Sequence, residues 1–201
     1  MERQSLKFMH RWRTGRIAAL VTVLFLSLFA LLIGWWRLDP VQGQPQSSLQ
    51  VASSSFANGA SIPKRYTCDG GDISPNLQWP PAPPRTKSFA IIVNDPDAPV
   101  DFTHWLVFNI RPDTHSLVEG ASTVGAMPPG ASEGVNGFGV VGYAGPCPPP
   151  GNAHHYVFRV YALDATLPLA DGARRGQVES AMRQHILAAG QLIGTYRREL
   201  R

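Results

Sequence analysis

SFAIIVNDPDAPVDFTHWLVFNI, residues 88–110, holds two apolar runs split by an Asp-Pro-Asp turn. Ser88–Asn94 and His104–Ile110 are each about seven residues long and rich in β-branched and aromatic side chains. The first stops at Asn-Asp-Pro and the second at Arg111-Pro112, both turn signals. This is the pattern of two antiparallel strands. Residues 155–164, HYVFRVYALD, give a third and longer strand, and residues 191–197, QLIGTYR, a closing one. A single helix is predicted over 173–189, where Val178, Ala181, Met182, His185, Ile186 and Ala189 recur at 3–4 spacing. Asp171 would cap it and Gly190 would end it, with His185 at the core boundary. Many strands, one late helix and no βαβ rhythm predict a mainly antiparallel β domain.

The length of 201 residues suits one domain plus a tail, and 44% hydrophobic with 16% charged residues is a globular balance. A net charge of +4 invites a nucleic-acid reading, which the distribution removes. Arg3, Lys7, Arg11, Arg13 and Arg16 against Glu2 carry all of it, while residues 51–201 hold 12 basic and 12 acidic side chains. No nucleic-acid partner is expected.

After Arg16, residues 17–36 run IAALVTVLFLSLFALLIGWW without an ionisable group. Twenty helical residues reach about 30 Å, the thickness of a bilayer's hydrocarbon core. The paired Trp35 and Trp36 suit the membrane interface, and the preceding basic tail, 1–16, suits the cytoplasmic side. The expectation is a single-pass signal anchor in the cytoplasmic membrane with everything beyond it outside. A cleaved signal peptide competes and leads to the same compartment, but no good small-x-small site follows the apolar run. Residues 37–55, rich in Gln, Ser and Pro, read as a flexible linker, and the domain is expected from Phe56 to Arg201.

Two motif matches fail on context. Gly130-Ala131-Ser132-Glu133-Gly134 fits the G-x-S-x-G nucleophile elbow, yet Pro128-Pro129 precede it and a glycine-rich stretch follows. Gly137 to Gly142 fits G-x-G-x-x-G, but Pro146 and Pro148–Pro150 forbid the helix that would hold a pyrophosphate. No cofactor is expected.

A better constellation comes from strand placement. Asp95 and Asp97 leave the first strand and His104 enters the second, so antiparallel pairing brings carboxylates and imidazole to one end of the sheet. His154 and Tyr156 share a face at the start of the third strand, with His155 on the other. The loop 142–147, GYAGPC, would offer backbone N–H groups at its glycines. Together these are parts of a small anion site. Taken singly, Asp-Pro-Asp is a turn and a strand-end histidine is inert. No familiar ligand spacing supports a metal.

The segments CDGGDISPNLQWPPAPP (68–84), IIVNDPDAP (91–99), HWLVFNI (104–110), GYAGPCPPPG (142–151), HHYVFRVYALD (154–164) and IGTYRR (193–198) resemble the phosphatidylethanolamine-binding protein (PEBP) family. They are most similar to its bacterial Raf-kinase-inhibitor-like branch, the YbhB/YbcL type, over Phe56–Arg198. The resemblance implies an antiparallel β-sandwich, a large sheet on a smaller one, with a C-terminal helix and a site for phosphate-like groups such as phospholipid headgroups. It carries a ligand-binding role to Asp95, Asp97, His104, Gly145, Pro146, His154 and Tyr156. His155 stands where many relatives carry arginine, and the membrane-spanning start is foreign to cytosolic members, which removes a cytosolic kinase as partner. The expected function is a tethered extracytoplasmic binding protein for an anionic or phosphorylated small ligand. An inhibitor of an extracytoplasmic hydrolase or protease, acting through its loops, is the alternative. Hydrolysis by Asp95 and His104 as acid and base comes third, for want of a nucleophile, so the protein is not expected to be an enzyme. Cys68 and Cys147, the only cysteines, both adjoin family motifs at the site, and a disulfide between them is expected outside the cytoplasm. Closing a loop of that length contributes on the order of 4 kcal/mol.

Overall fold

The computed structural model describes residues 47–123 and 125–199. In chain order these form β1 (Ser47–Ser48), a 3-10 turn at Lys64–Tyr66, β2 (Leu77–Gln78), β3 (Ser88–Asp95), β4 (Phe102–Ile110), β5 (Ser116–Leu117), β6 (Ser132–Glu133), β7 (His154–Leu163), α1 (Arg175–Met182) and β8 (Ile186–Tyr196). A six-stranded sheet runs β1-β8-β7-β3-β4-β6, and β2 pairs with β5 in a second, two-stranded sheet. Every pairing is antiparallel except β1 on β8.

β3 lies inside the large sheet and is buried along its whole length. One set of its side chains, Phe89, Ile91 and Val93, packs with Trp105, Val107, Tyr156, Phe158 and Val160 in the main core. The alternate set, Ala90 and Ile92, packs with Leu106, Phe108, Leu163 and the helix residues Val178 and Met182. Coverage on both faces is why the sequence shows a continuous apolar run there and no alternation. Adjacent register then fixes the site end of the sheet. Asp95 pairs with Phe102 and Asn94 with both Thr103 and Val157.

The expected helix over 173–189 is shorter than its periodicity suggests. α1 ends at Met182, its N-cap is Arg174 in place of Asp171, and β8 begins at Ile186. Ile186-Leu187-Ala188-Ala189 satisfies helical spacing and a sheet ladder equally well, and β7 decides between them. Its last residues, Ala162 and Leu163, pair with Ala188 and Ile186. Gly190 is therefore no helix stop. It lies within β8 where the Leu49 carbonyl oxygen would come within 1.9 Å of any Cβ. His185 sits between the two elements, half-exposed, with Nδ1 2.8 Å from Asp164 Oδ1. It lies at the boundary of the core, as expected, and not within it.

The fold also begins before the expected boundary at Phe56. Ser47 and Ser48 pair with Ala188 and Ala189, Leu49 is buried, and Ala52 bridges to Gln78, so the linker reading does not hold from Ser47 onward. The basic tail 1–16 and the expected span 17–36 lie outside the described residues. Among those described, no helix is long and apolar enough to cross a membrane. Ser132 of the G-x-S-x-G match lies in β6 and no helix follows either glycine motif until α1.

Candidate functional site

Asp95 ends β3 with both carboxylate oxygens engaged. Oδ1 accepts the backbone N–H groups of Asp97 (2.9 Å) and Ala98 (3.1 Å), which closes the Asp-Pro-Asp turn. Oδ2 lies 2.7 Å from His154 Nδ1 at the start of β7. The turn and the site thus use opposite sides of one carboxylate. Nδ1 faces an acceptor, so Nε2 is the His154 nitrogen left for a ligand.

His104 is buried on β4, and burial holds its pKa below the ordinary histidine value. Its Nδ1 is 2.7 Å from the Ala144 carbonyl, which only accepts. The neutral ring therefore carries its proton on Nδ1, leaving a lone pair on Nε2. Phe102, Phe138 and Tyr156 surround it, with ring centroids 5.1, 6.1 and 5.1 Å from the imidazole.

Tyr156 is fully buried, and among the described residues its hydroxyl makes no hydrogen bond of full geometry, though the Asp95 carboxylate stands close enough to act on it. Burial and the nearby Asp95 charge push the phenol well above its ordinary range, so it is a hydroxyl donor at any physiological pH. A buried donor without a partner costs on the order of 1–3 kcal/mol, which a ligand oxygen would relieve.

Asp97 belongs to a different arrangement. Its Oδ2 accepts from the backbone N–H of His155 and lies 2.7 Å from that residue's Nδ1, both at the surface. The backbone N–H first, and the ring second, hold the Asp97 carboxyl below the usual carboxylate range.

The glycine amides of the loop 142–147 are not free. The N–H groups of Gly142, Tyr143, Ala144 and Gly145 donate to Gly134 O (3.2 Å), Ser122 Oγ (2.8 Å), His104 O (3.0 Å) and Asp72 Oδ1 (2.6 Å). Gly145 is glycine for space: a Cβ there would meet the Tyr66 carbonyl oxygen at 2.3 Å. The Pro146 carbonyl accepts the Cys68 N–H at 3.2 Å, and the Cys68 and Cys147 sulfurs are bonded. Gly145 and Pro146 therefore face the 66–72 segment and shape the site through it.

The structure brings Asp95, His104, His154 and Tyr156 together, with Asp97 at the edge. It adds Phe102, Phe138 and Asp72, which the sequence reading did not single out. Phe102 was findable, being two residues before His104 on the same strand face. Asp72 lies inside the CDGGDISP segment but has no local signal for its partner. Phe138 has none either. Among the described residues, no group of three or more His, Cys, Asp or Glu side chains is placed to hold a metal ion.

Residues 52–197 match the family model for phosphatidylethanolamine-binding proteins, a span that holds every site residue. The chain belongs to the phosphatidylethanolamine-binding protein family. This PEBP member is 47% identical over 151 residues to a UPF0098 protein of Methanothermobacter thermautotrophicus, covering 75% of this chain and 99% of that one. It is 49% identical over 154 residues to a UPF0098 protein of Aquifex aeolicus, covering 75% and 90%. Among solved structures it resembles a PEBP homologue from Chlamydia trachomatis, CT736, with 38% identity and a TM-score of 0.68 over 77% of this chain and all of that one. It also resembles Escherichia coli YbcL, described as a new member of the mammalian PEBP family, with 33% identity and a TM-score of 0.72 over 76% and 100%.

Proposed function

We propose that this PEBP member is a non-enzymatic binding protein for a small anionic or phosphorylated ligand, phospholipid headgroups included. In this reading it is held outside the cytoplasmic membrane by residues 17–36. The observation that carries the binding role is the buried Tyr156 hydroxyl, short of a full hydrogen bond, beside a neutral His104 and the His154–Asp95 pair. A singly protonated phosphate group suits these atoms. One oxygen accepts from Tyr156, its P–OH donates to His104 Nε2, and the aromatic rings of Phe102 and Phe138 wall one side. The site residues include no lysine or arginine, so affinity comes from these few groups and not from a basic surface. The apolar run 17–36 and the basic tail before it support the location.

Titration calorimetry with inorganic phosphate and phosphoethanolamine tests the binding role. Wild type releases heat, and His154→Ala and Tyr156→Phe each weaken binding about tenfold or more. Equal heats in all three proteins would overturn it.

A second reading has its own observation. Val100, Phe138, Val140 and Val141 are large apolar side chains exposed on loops. Such side chains favour a protein partner, in line with inhibition of an extracytoplasmic hydrolase. A partner recovered by the wild-type chain and equally by the Phe138→Glu/Val140→Glu variant would count against it.

A further inference from the structure

The segment Tyr66–Asp72 grips the site loop 143–147 at four points. The Tyr143 hydroxyl donates to the Tyr66 carbonyl at 2.7 Å, and burial followed by the Asp72 charge keeps that phenol protonated. The Gly145 N–H donates to Asp72 Oδ1 at 2.6 Å, and the Cys68 N–H donates to the Pro146 carbonyl at 3.2 Å. The fourth hold is covalent, Cys68 to Cys147, with Cα atoms 5.4 Å apart. Between these holds lies Ala144. Its N–H donates to the His104 carbonyl and its own carbonyl fixes the His104 Nδ1 proton. The imidazole's tautomer and placement thus rest on a loop whose covalent latch is accessible, because Cys68 is exposed and Cys147 half-buried.

We propose that the Cys68–Cys147 disulfide is a thiol-exchange site for a dithiol reductant, and that its reduction loosens the loop that orients His104 and lowers ligand affinity. A thiolate of the reductant attacks the sulfur of Cys68, the more exposed residue of the two, the S–S bond breaks, and Cys147 leaves as a thiolate that takes up a proton. The reductant's second thiolate then displaces Cys68 from the mixed disulfide, and Cys68 is protonated in turn. The dithiol ends as its own disulfide, having given two electrons and two protons to the pair. Three hydrogen bonds remain on the loop after reduction. The fold persists while the local opening of 143–147 becomes easier. The affinity part rests on the reading of the site as an anion site, whereas the His104 part does not.

The test uses the full 201-residue chain in detergent micelles, oxidised and then reduced with dithiothreitol, with circular dichroism to follow the fold. Calorimetry with inorganic phosphate reads affinity, and nitrogen-15 NMR of labelled histidines reads the His104 tautomer. Expected are an intact fold, an affinity lowered about fivefold or more, altered His104 nitrogen shifts, and recovery of both on reoxidation. The Cys68→Ser/Cys147→Ser protein should match the reduced state; if it does not fold, the reduced wild type decides alone. Identical affinity and identical His104 shifts in both states would overturn the proposal. Unfolding of the whole domain on reduction would overturn it as well, since the bond would then be a general staple. Should phosphate bind to neither state, the anion reading fails by itself, and unchanged or changed His104 shifts then decide the latch.

Discussion

Asp95 with His154 and Asp97 with His155 are the same pair of side chains built twice. The carboxylates stand two residues apart on one turn and the imidazoles are adjacent on β7, and both oxygen–nitrogen distances are 2.7 Å. Their surroundings differ. The Asp95 and His154 side chains are 5% and 14% exposed, against 42% and 56% for Asp97 and His155. Period-2 alternation on β7 turns one imidazole inward and the next one out. The inner pair stands beside the buried Tyr156 hydroxyl and orients an imidazole for a ligand. The outer pair ties a turn to a strand and is open to water and salt. Identity and distance are equal, so burial assigns the roles.

Removal of Asp95 separates the pairs most strongly. Asp95→Ala strips His154 of its partner and two backbone N–H groups of their acceptor in a buried setting. It should destabilise the domain by about 3 kcal/mol in urea unfolding. A loss below about 1 kcal/mol would mean that the inner pair behaves like the outer one.

Tyr156→Phe sharpens the inner side. Deleting a buried hydroxyl that lacks a full hydrogen bond should leave stability unchanged or raise it by about 1 kcal/mol, while ligand heat falls. A clear destabilisation would show that the hydroxyl is bonded within the protein.

The outer pair gives the smallest effect. Asp97→Asn should cost less than about 1 kcal/mol at pH 6 by thermal unfolding, as exposed pairs do. The Asp97 carboxyl is held below its ordinary value in the folded state, so its contribution is present above pH ~4 and disappears as pH falls through the lowered value. The gap between wild type and Asp97→Asn should therefore close in acid. A gap that widens in acid would reverse the assignment.

Much of this was legible before the structure, and the failures have physical causes. Asp95 and His104 could be brought together because two runs joined by a short turn pair antiparallel, and alternation put His154 and Tyr156 on one face. That β7 lies beside β3 is a tertiary fact that local pattern does not give. The helix over 173–189 was overdrawn because Ile186–Ala189 obeys two periods, and only β7, more than twenty residues earlier, selects between them. The amides at Gly142 and Gly145 looked available because glycine permits exposure. Their partners, Gly134 and Asp72, come from tertiary approach, which leaves no trace in spacing. Asp72 went unseen for the same reason, since the amide it holds lies 73 residues away.

The glycine-rich stretch beside the site has a second duty that concerns the outside of the molecule. β6 covers only Val107 and Phe108 of β4, and beyond it Gly134 and Gly137 donate to the Leu106 and Thr103 carbonyls at 3.0 and 2.7 Å. Neither glycine has room for a Cβ, with Ala173 O and the Phe102 ring each 2.5 Å away. The stretch is pressed against the outermost long strand as a seal. A side chain introduced at either position would lift it and bare a row of backbone donors and acceptors, a template on which a second copy could add its own strand. Evolution or engineering that enlarges the mouth of the site at these glycines therefore trades ligand access against self-association.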